Sequence, residues 1–332
     1  MADVKWSPGS LLDVSGAFWK GCTLQAGVKL GVFTILGDDA LEAADFSERF
    51  GWSLRGAPIL LDALAAMGLL AKIGGLYSNT PEARRFLCKD SPAYLGHIIL
   101  HQQNLVESWS HLDEAVLTGR PVRERSSHVP DEEARESFLM GMFNLASLLA
   151  PRLVPVVDLE GRRRLLDLGG GPGTYAIHFC LANPGLEAVV FDLPTSEPFA
   201  LKTIAGFGLE GRVTFQEGDF IEDRAAGRFD AVWLSHVLHG EGPENCRKML
   251  QNAASVLDPG GLLMVHEFVL DDSMDAPLHP ALFSLNMLVG TDEGRAYSEG
   301  QLRAMMEEAG AKGVQRLPYR GPSDSSILIG TV

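Results

Sequence analysis

Residues 165–173 read Leu-Leu-Asp-Leu-Gly-Gly-Gly-Pro-Gly. An apolar run ending in an acid and a glycine cluster is how a buried parallel strand turns sharply into a helix, and such a turn binds ligands. Gly169, Gly171 and Gly173 have no Cβ, so they accept positive φ and let a ligand lie on the backbone. The N–H groups opening the next helix face the same cavity. The expected occupant is a nucleotide-like cofactor.

Downstream residues narrow the choice. A dinucleotide fingerprint spaces its glycines as G-x-G-x-x-G, whereas Gly173 arrives one residue early. Ala188-Val189-Val190-Phe191-Asp192 reads as a second buried strand, whose terminal carboxylate suits two sugar hydroxyls. Val213-Thr214-Phe215-Gln216 reads as a third, leading to Gly218-Asp219-Phe220, an acid beside an aromatic that suits the amino group and face of an adenine. Asp167, Asp192 and Asp219 thus come from three strands to the carboxyl edge of one sheet, where open α/β sheets bind ligands.

With these motifs in this order the chain resembles the S-adenosylmethionine-dependent O-methyltransferases, of the plant caffeate type and its bacterial hydroxyindole, phenazine and anthracycline relatives. The resemblance covers nearly the whole chain. It takes in Phe191-Asp192-Leu193-Pro194, Gly218-Asp219-Phe220 and Leu234-Ser235-His236-Val237-Leu238-His239. It also takes in Glu107-Ser108-Trp109 with Leu112 and Gly119, and Phe138-x-x-x-Met142. What it implies is a cofactor site of Asp167, Gly169, Gly171, Gly173, Asp192, Leu193, Gly218, Asp219, Phe220 and Ser235.

Composition fits an enzyme of the cytoplasm. The 332 residues suggest about two domains, and 46% are apolar, ordinary for a globular chain. A formal net charge of −15 argues against nucleic-acid and anionic-membrane partners. Cys22, Cys88, Cys180 and Cys246 are scattered without C-x-x-C spacing, which offers neither a disulfide framework nor a zinc cluster. The amino terminus has no signal core, and no uninterrupted apolar run looks long enough to span a bilayer.

The expected architecture is α/β: a carboxy-terminal doubly wound, Rossmann-like domain over residues 159–332, an amino-terminal helical and winged-helix domain over 1–105, and a helical linker over 106–158 that contributes to the substrate pocket. Residues 8–36 read as one long apolar helical stretch carrying Phe18 and Trp19, too apolar for a lone exposed helix. Helices near 40–50 and 55–68 precede a hairpin through 72–78, with Gly74-Gly75 at its turn. A winged helix raises the question of DNA. Residues 1–100 hold nine Lys/Arg against ten Asp/Glu, and the helix beginning at Arg55 lacks residues that read bases or grip phosphates. The resemblance implies instead that this domain dimerises and walls the substrate pocket.

The chemistry that the resemblance implies is attack of a hydroxyl on a sulfonium methyl. A phenol has a pKa of about 10 and is mostly protonated at neutral pH, so a neighbouring base helps. Histidine is suited to that work. His239, after the apolar strand Phe229–Ser235, matches the family's base, and Glu267 matches the acid that orients it. His236 competes for the role but matches pocket lining better. Met142, Phe143, Phe283, Met287 and Leu288 complete the expected substrate pocket. His97 and His101 have metal-ligand spacing, but no further ligand completes a site, so no metal is expected.

Two departures stand out. An ungapped reading puts Ala296 where plant relatives carry a second orienting Glu. His239-Gly240-Glu241 stands where the family has His-Asp-Trp, so an indole that helps cover the adenine is missing and Phe220 must carry more of that contact. The reading is a homodimeric methyltransferase acting on a small, aromatic hydroxylated metabolite. The residues leave open an NAD(P)-dependent oxidoreductase, and a relative that binds S-adenosylmethionine but catalyses another reaction or none.

Overall fold

The computed structural model describes residues 5–125 and 132–332, and it divides into two compact units, Met1–Leu105 and Val106–Val332.

In the first unit the apolar stretch over 8–36 is three helices rather than one: Pro8–Ser15, Phe18–Lys29 and Val32–Leu36. Gly16 caps the first in a right-handed conformation, and Gly31, at φ 72°, starts the third in the left-handed region that favours glycine. Strand β1 (Ala40–Glu42) occupies the start of the segment expected to be helical, and the helix begins at Ala43. With β2 (Leu70–Ile73) and β3 (Leu76–Asn79) it forms an antiparallel sheet in the order β1-β3-β2. Phe33, Phe46, Leu61 and Leu64 are fully buried and form this unit's interior. No residue of Pro8–Ser15 is buried, and Phe18 and Trp19 stand 61% and 71% exposed, edge to face with each other.

In the second unit, strands β4 (Arg164–Leu168), β5 (Glu187–Asp192), β6 (Val213–Glu217), β7 (Phe229–Ser235), β8 (Leu257–Leu270), β9 (Tyr297–Ser298), β10 (Lys312–Arg316) and β11 (Ser325–Thr331) make one sheet. Its order is β10-β11-β8-β7-β4-β5-β6, with β9 beside β8. From β6 to β8 all pairs are parallel, and β11 and β10 add antiparallel neighbours. Parallel strands are buried on both faces, which is why they read as unbroken apolar runs. Successive residues therefore feed two cores: Leu165 and Trp233 pack with Phe179 on one side, Leu166 and Leu234 with Leu250 on the other. The chain winds from β4 outward to β6, then returns to β7 on the other flank of β4. That reversal opens a crevice at the carboxyl ends of β4 and β7.

One helix departs from the sequence expectation about bilayer spans. Glu132–Val156 is long and apolar enough to cross a membrane by length and composition. Its inward residues, among them Leu139, Ala150 and Leu153, are buried, and Ala150 and Leu153 pack into the same core as Ile177 and Phe179 of helix Thr174–Ala182. A core helix meets the same criterion without spanning anything.

Candidate active site

At the end of β4 the chain turns through Gly169–Gly173 into helix Thr174–Ala182. A Cβ on Gly169 would lie 2.4 Å from Val237 Cγ1, so the turn presses directly on the residue after His236. Gly173 and Gly218 are likewise places of close approach, to Val190 and to the Phe191 ring. Gly171 differs. At φ 52° its missing Cβ would meet nothing nearer than Leu139 Cδ2, at 3.9 Å, so the turn leaves a backbone cradle there that a side chain would fill.

Buried carboxylates hold this turn. Asp192 Oδ2 accepts from Gly171 N at 2.7 Å, and Oδ1 accepts from Leu193 N at 2.7 Å and Ser196 Oγ at 3.0 Å. Asp167 Oδ2 accepts from Ala176 N at 3.1 Å, in the first turn of the following helix, while its buried Oδ1 has no partner among the described residues. Burial pushes the Asp167 carboxyl up to about 7 and raises Asp192 as well. At the end of β6 the exposed Asp219 turns Oδ1 onto its own loop, at Ile221 N, and the Phe220 ring lies 3.7 Å from the Cβ position of Gly169.

The sign of the Asp167 shift gives a test. A carboxyl whose folded pKa is raised stabilises the fold below its unfolded value near 4, and that contribution is lost as pH rises through about 7. Calorimetry of cofactor-free protein is expected to show a Tm that declines from pH 5 to pH 8, and Asp167→Asn is expected to flatten the decline. An equal slope in both proteins would mean that Asp167 is not the titrating group.

At the end of β7 the Ser235 Oγ meets His266 Nδ1 at 2.9 Å, so this hydroxyl serves a network that continues from the buried His266 Nε2 to Ser325 Oγ at 3.1 Å. Burial, with His236 beside it, keeps the His266 ring well below the usual histidine range. His236 follows at φ 56°, and then a turn of 3-10 helix, Leu238–Gly240, carries His239.

Glu267 on β8 gathers these groups. Its Oε1 accepts from Leu238 N at 2.9 Å and His239 N at 3.3 Å, and His239 Nδ1 lies 2.7 Å from Oε2. Burial alone would push this carboxyl up, but His239 and His236 outweigh it and hold Glu267 well below the usual carboxylate range. With Nδ1 on Glu267, the His239 ring presents Nε2 away from the strand. Phe283 meets that ring edge to face at 4.8 Å and packs on Phe268 at 4.6 Å, so an aromatic wall flanks the histidine.

Among the expected pocket residues, Phe143 stands apart from His239. Phe143 meets Phe207 at 6.5 Å, and Phe207 also faces His178, which places Phe143 against the helices that flank the sheet rather than beside His239. Met142 and Leu288 are half-buried and Met287 is buried, and helix Leu278–Leu288 contacts the turn Leu238–Gly240 that carries His239. Leu139, one helical turn before Met142, is the residue that faces Gly171. Asn286, also unforeseen, accepts from Trp109 Nε1 at 3.1 Å and so ties helix Leu278–Leu288 to the Glu107-Ser108-Trp109 segment.

Ala296 is fully buried and offers no acid. The Glu241 carboxylate is buried, pairs with Arg125 and accepts from Asn245 Nδ2 at 2.9 Å, while Val237 and Phe220 lie against Gly169.

Residues 109–312 match the O-methyltransferase domain model, and residues 12–89 match the O-methyltransferase dimerisation domain. The chain belongs to the O-methyltransferase family. It is 34% identical to the 3-hydroxy-5-methyl-1-naphthoate 3-O-methyltransferase of Streptomyces sahachiroi, over 97% of this chain and 95% of that one. It is 33% identical to the N,N-dimethyltransferase OxyT of Streptomyces rimosus, over 91% and 90%. The crystal structure of human N-acetylserotonin methyltransferase in complex with S-adenosylmethionine superposes with a TM-score of 0.85 at 27% identity, covering 100% of this chain and 99% of that one. The cofactor is S-adenosylmethionine, and the cradle at Gly171 and the unpaired Asp167 Oδ1 are features that such a ligand fits.

Proposed function

We propose that this enzyme methylates a hydroxyl of a small aromatic metabolite, with His239 as general base and Glu267 as the acid that orients it. The observation that carries the reading is the 2.7 Å contact between His239 Nδ1 and a fully buried, ionised Glu267. A carboxylate there fixes the tautomer with the proton on Nδ1, so Nε2 is the basic atom, and it stabilises the imidazolium formed when Nε2 takes the acceptor's proton. Phe283 and Phe268 offer flat apolar surface to an aromatic ring.

S-adenosylmethionine supplies an electrophilic methyl on a sulfonium. The residues for holding it are the Gly169–Gly173 backbone, Asp167, Asp192 with Leu193, Asp219 and Phe220, with Gly218 packed on the Phe191 ring just before the last two. Ser235 bonds to His266 and acts from behind this surface.

The acceptor atom is the point to test, because one relative of equal similarity is named as an N,N-dimethyltransferase. S-adenosylhomocysteine release is measured with N-acetylserotonin and with 3-hydroxy-5-methyl-1-naphthoate, each beside its amino analogue. Turnover of a hydroxyl probe is expected; turnover confined to the amines would move the reaction to nitrogen.

The assembly is a homodimer built on the first unit, whose exposed Phe18 and Trp19 belong to the segment that matches a dimerisation domain. Burying such a side chain contributes about 1.5–3 kcal/mol. Phe18→Glu with Trp19→Glu is expected to give monomer or aggregate, and a monomeric parent in light scattering at micromolar concentration would refute the assembly. Four free cysteines, three of them buried, support a cytoplasmic setting.

A further inference from the structure

Glu267 holds the turn that carries His239 by its donors, the Leu238 and His239 N–H groups and the ring nitrogen. The carbonyl side of the same turn is held by other residues. Leu238 O accepts from Cys246 Sγ at 3.2 Å, and Glu241 O accepts from the Tyr297 hydroxyl at 2.5 Å. Cys246 belongs to helix Pro243–Ser255, which follows the turn directly, and its sulfur lies 3.5 Å from the Tyr297 oxygen. Tyr297 is buried and comes from a distant part of the chain. Its place is set by the strand that carries Glu267: on β9 it pairs with Val269, two residues beyond Glu267 on β8. The loop ahead of it is pinned as well, because Ala296 N donates to Ser284 Oγ at 3.1 Å and a Cβ on Gly294 would lie 2.6 Å from the His239 carbonyl oxygen.

We propose that Tyr297 is a positioning residue whose hydroxyl fixes the exit of the catalytic turn while Glu267 fixes its entry, so that the His239 ring keeps one orientation on Glu267. This rests on the reading of His239 as the base. A single turn of 3-10 helix has few bonds of its own, here Gly240 N to Val237 O at 3.2 Å and Glu241 N to Leu238 O at 3.0 Å, and their geometry is poorer than in an α-helix. Its rigidity therefore comes from outside. Ala296 stands where plant relatives carry a second orienting acid, which leaves the ring one carboxylate, and the residue after Ala296 secures the backbone of the turn instead. A hydroxyl suits that place, because a carbonyl needs a donor and an ionised carboxyl has none. Burial pushes the Cys246 thiol up to about 12 and Tyr297 well above the usual tyrosine range, so both keep their protons and remain donors at neutral pH.

The test follows the His239 Nδ1 proton by NMR in the full-length protein labelled with 15N at histidine, without cofactor and near pH 8, and assigns that signal by its loss in His239→Ala. Tyr297→Phe keeps the buried ring and removes only the hydroxyl, and the buried His266 ring proton reports that the variant is folded. The His239 proton is expected to exchange with water about three- to tenfold faster in Tyr297→Phe, the opening that one neutral hydrogen bond restrains, at an unchanged His266 rate. On whichever of the two hydroxyl probes is turned over, kcat should fall by a similar factor with KM unchanged, and the same substitution should have no further effect in His239→Ala. Equal His239 exchange rates in parent and variant would overturn the proposal, and so would a rise shared by His266, which reports general loosening. Cys246→Ala leaves the Tyr297 hydroxyl in place and should change the His239 rate less; the reverse order would overturn the assignment to Tyr297. The base reading fails separately, if His239→Ala retains activity.

Discussion

His239→Ala is expected to lower kcat on a hydroxyl acceptor by about 10²–10⁴-fold at pH 7, the usual contribution of a general base, with the Kd for S-adenosylmethionine changed little. The separation follows from position. His239 bonds to Glu267 behind it and meets Phe283 beside it, whereas the glycine turn is held by Asp192 and Asp167. Some activity should survive, because correct alignment alone provides effective molarities of about 10⁵–10⁸ M. A phenol also ionises unaided near pH 10. The residual rate of the variant should therefore climb toward alkaline pH, where the parent has already levelled off. Glu267→Gln should show a milder loss than His239→Ala, since the ring remains; the amide oxygen can still accept from Nδ1, but its NH₂ then faces the Leu238 and His239 N–H groups and no charge is left to stabilise the imidazolium. Near-normal kcat at pH 7 in His239→Ala would place the proton acceptor elsewhere, with His236 the next group to test.

The same-edge convergence of β4, β5 and β7 was legible in the sequence because the inner strands of a parallel sheet are dry on both faces, so each appears as an apolar run stopped by a polar residue. A carboxyl or histidine at such a stop has one place to go. The first unit was harder to read. Apolar periodicity runs through residues 8–36 without marking Gly16 and Gly31 as breaks, since either glycine fits inside a helix at modest cost. Helix Glu132–Leu153 posed a related difficulty: it is apolar on several sides, so periodicity does not say whether Leu139 or Phe143 turns to the glycine turn. Long-range polar pairs left no trace at all. Arg125 and Glu241 are 116 residues apart, and nothing local in either segment announces the other. The positive φ of His236 was equally hidden, because such a backbone is uncommon in any residue with a Cβ and one histidine among nine does not mark it.

Asp192→Ala is expected to weaken S-adenosylmethionine binding by about 10²-fold, through two losses at once. The carboxylate is the acceptor proposed for the ribose hydroxyls, and its two oxygens also hold Gly171 N, Leu193 N and Ser196 Oγ, the contacts that shape the cradle. A hydrogen bond to a charged group is worth about 1.5–3 kcal/mol, and every 1.4 kcal/mol is about tenfold in Kd. Losing one ligand bond gives roughly tenfold, and a slackened Gly171 supplies the rest. Asp192→Asn separates the parts: the amide oxygen can still serve Leu193 and Ser196, but an NH₂ then faces the Gly171 N–H, donor against donor. Its affinity should fall between parent and alanine variant, with a Tm closer to the parent. In His239→Ala binding survives and turnover collapses. For Asp192→Ala, titration calorimetry should show the affinity itself collapsing, and an unchanged Kd would remove Asp192 from the cofactor site and leave it a support for the turn alone.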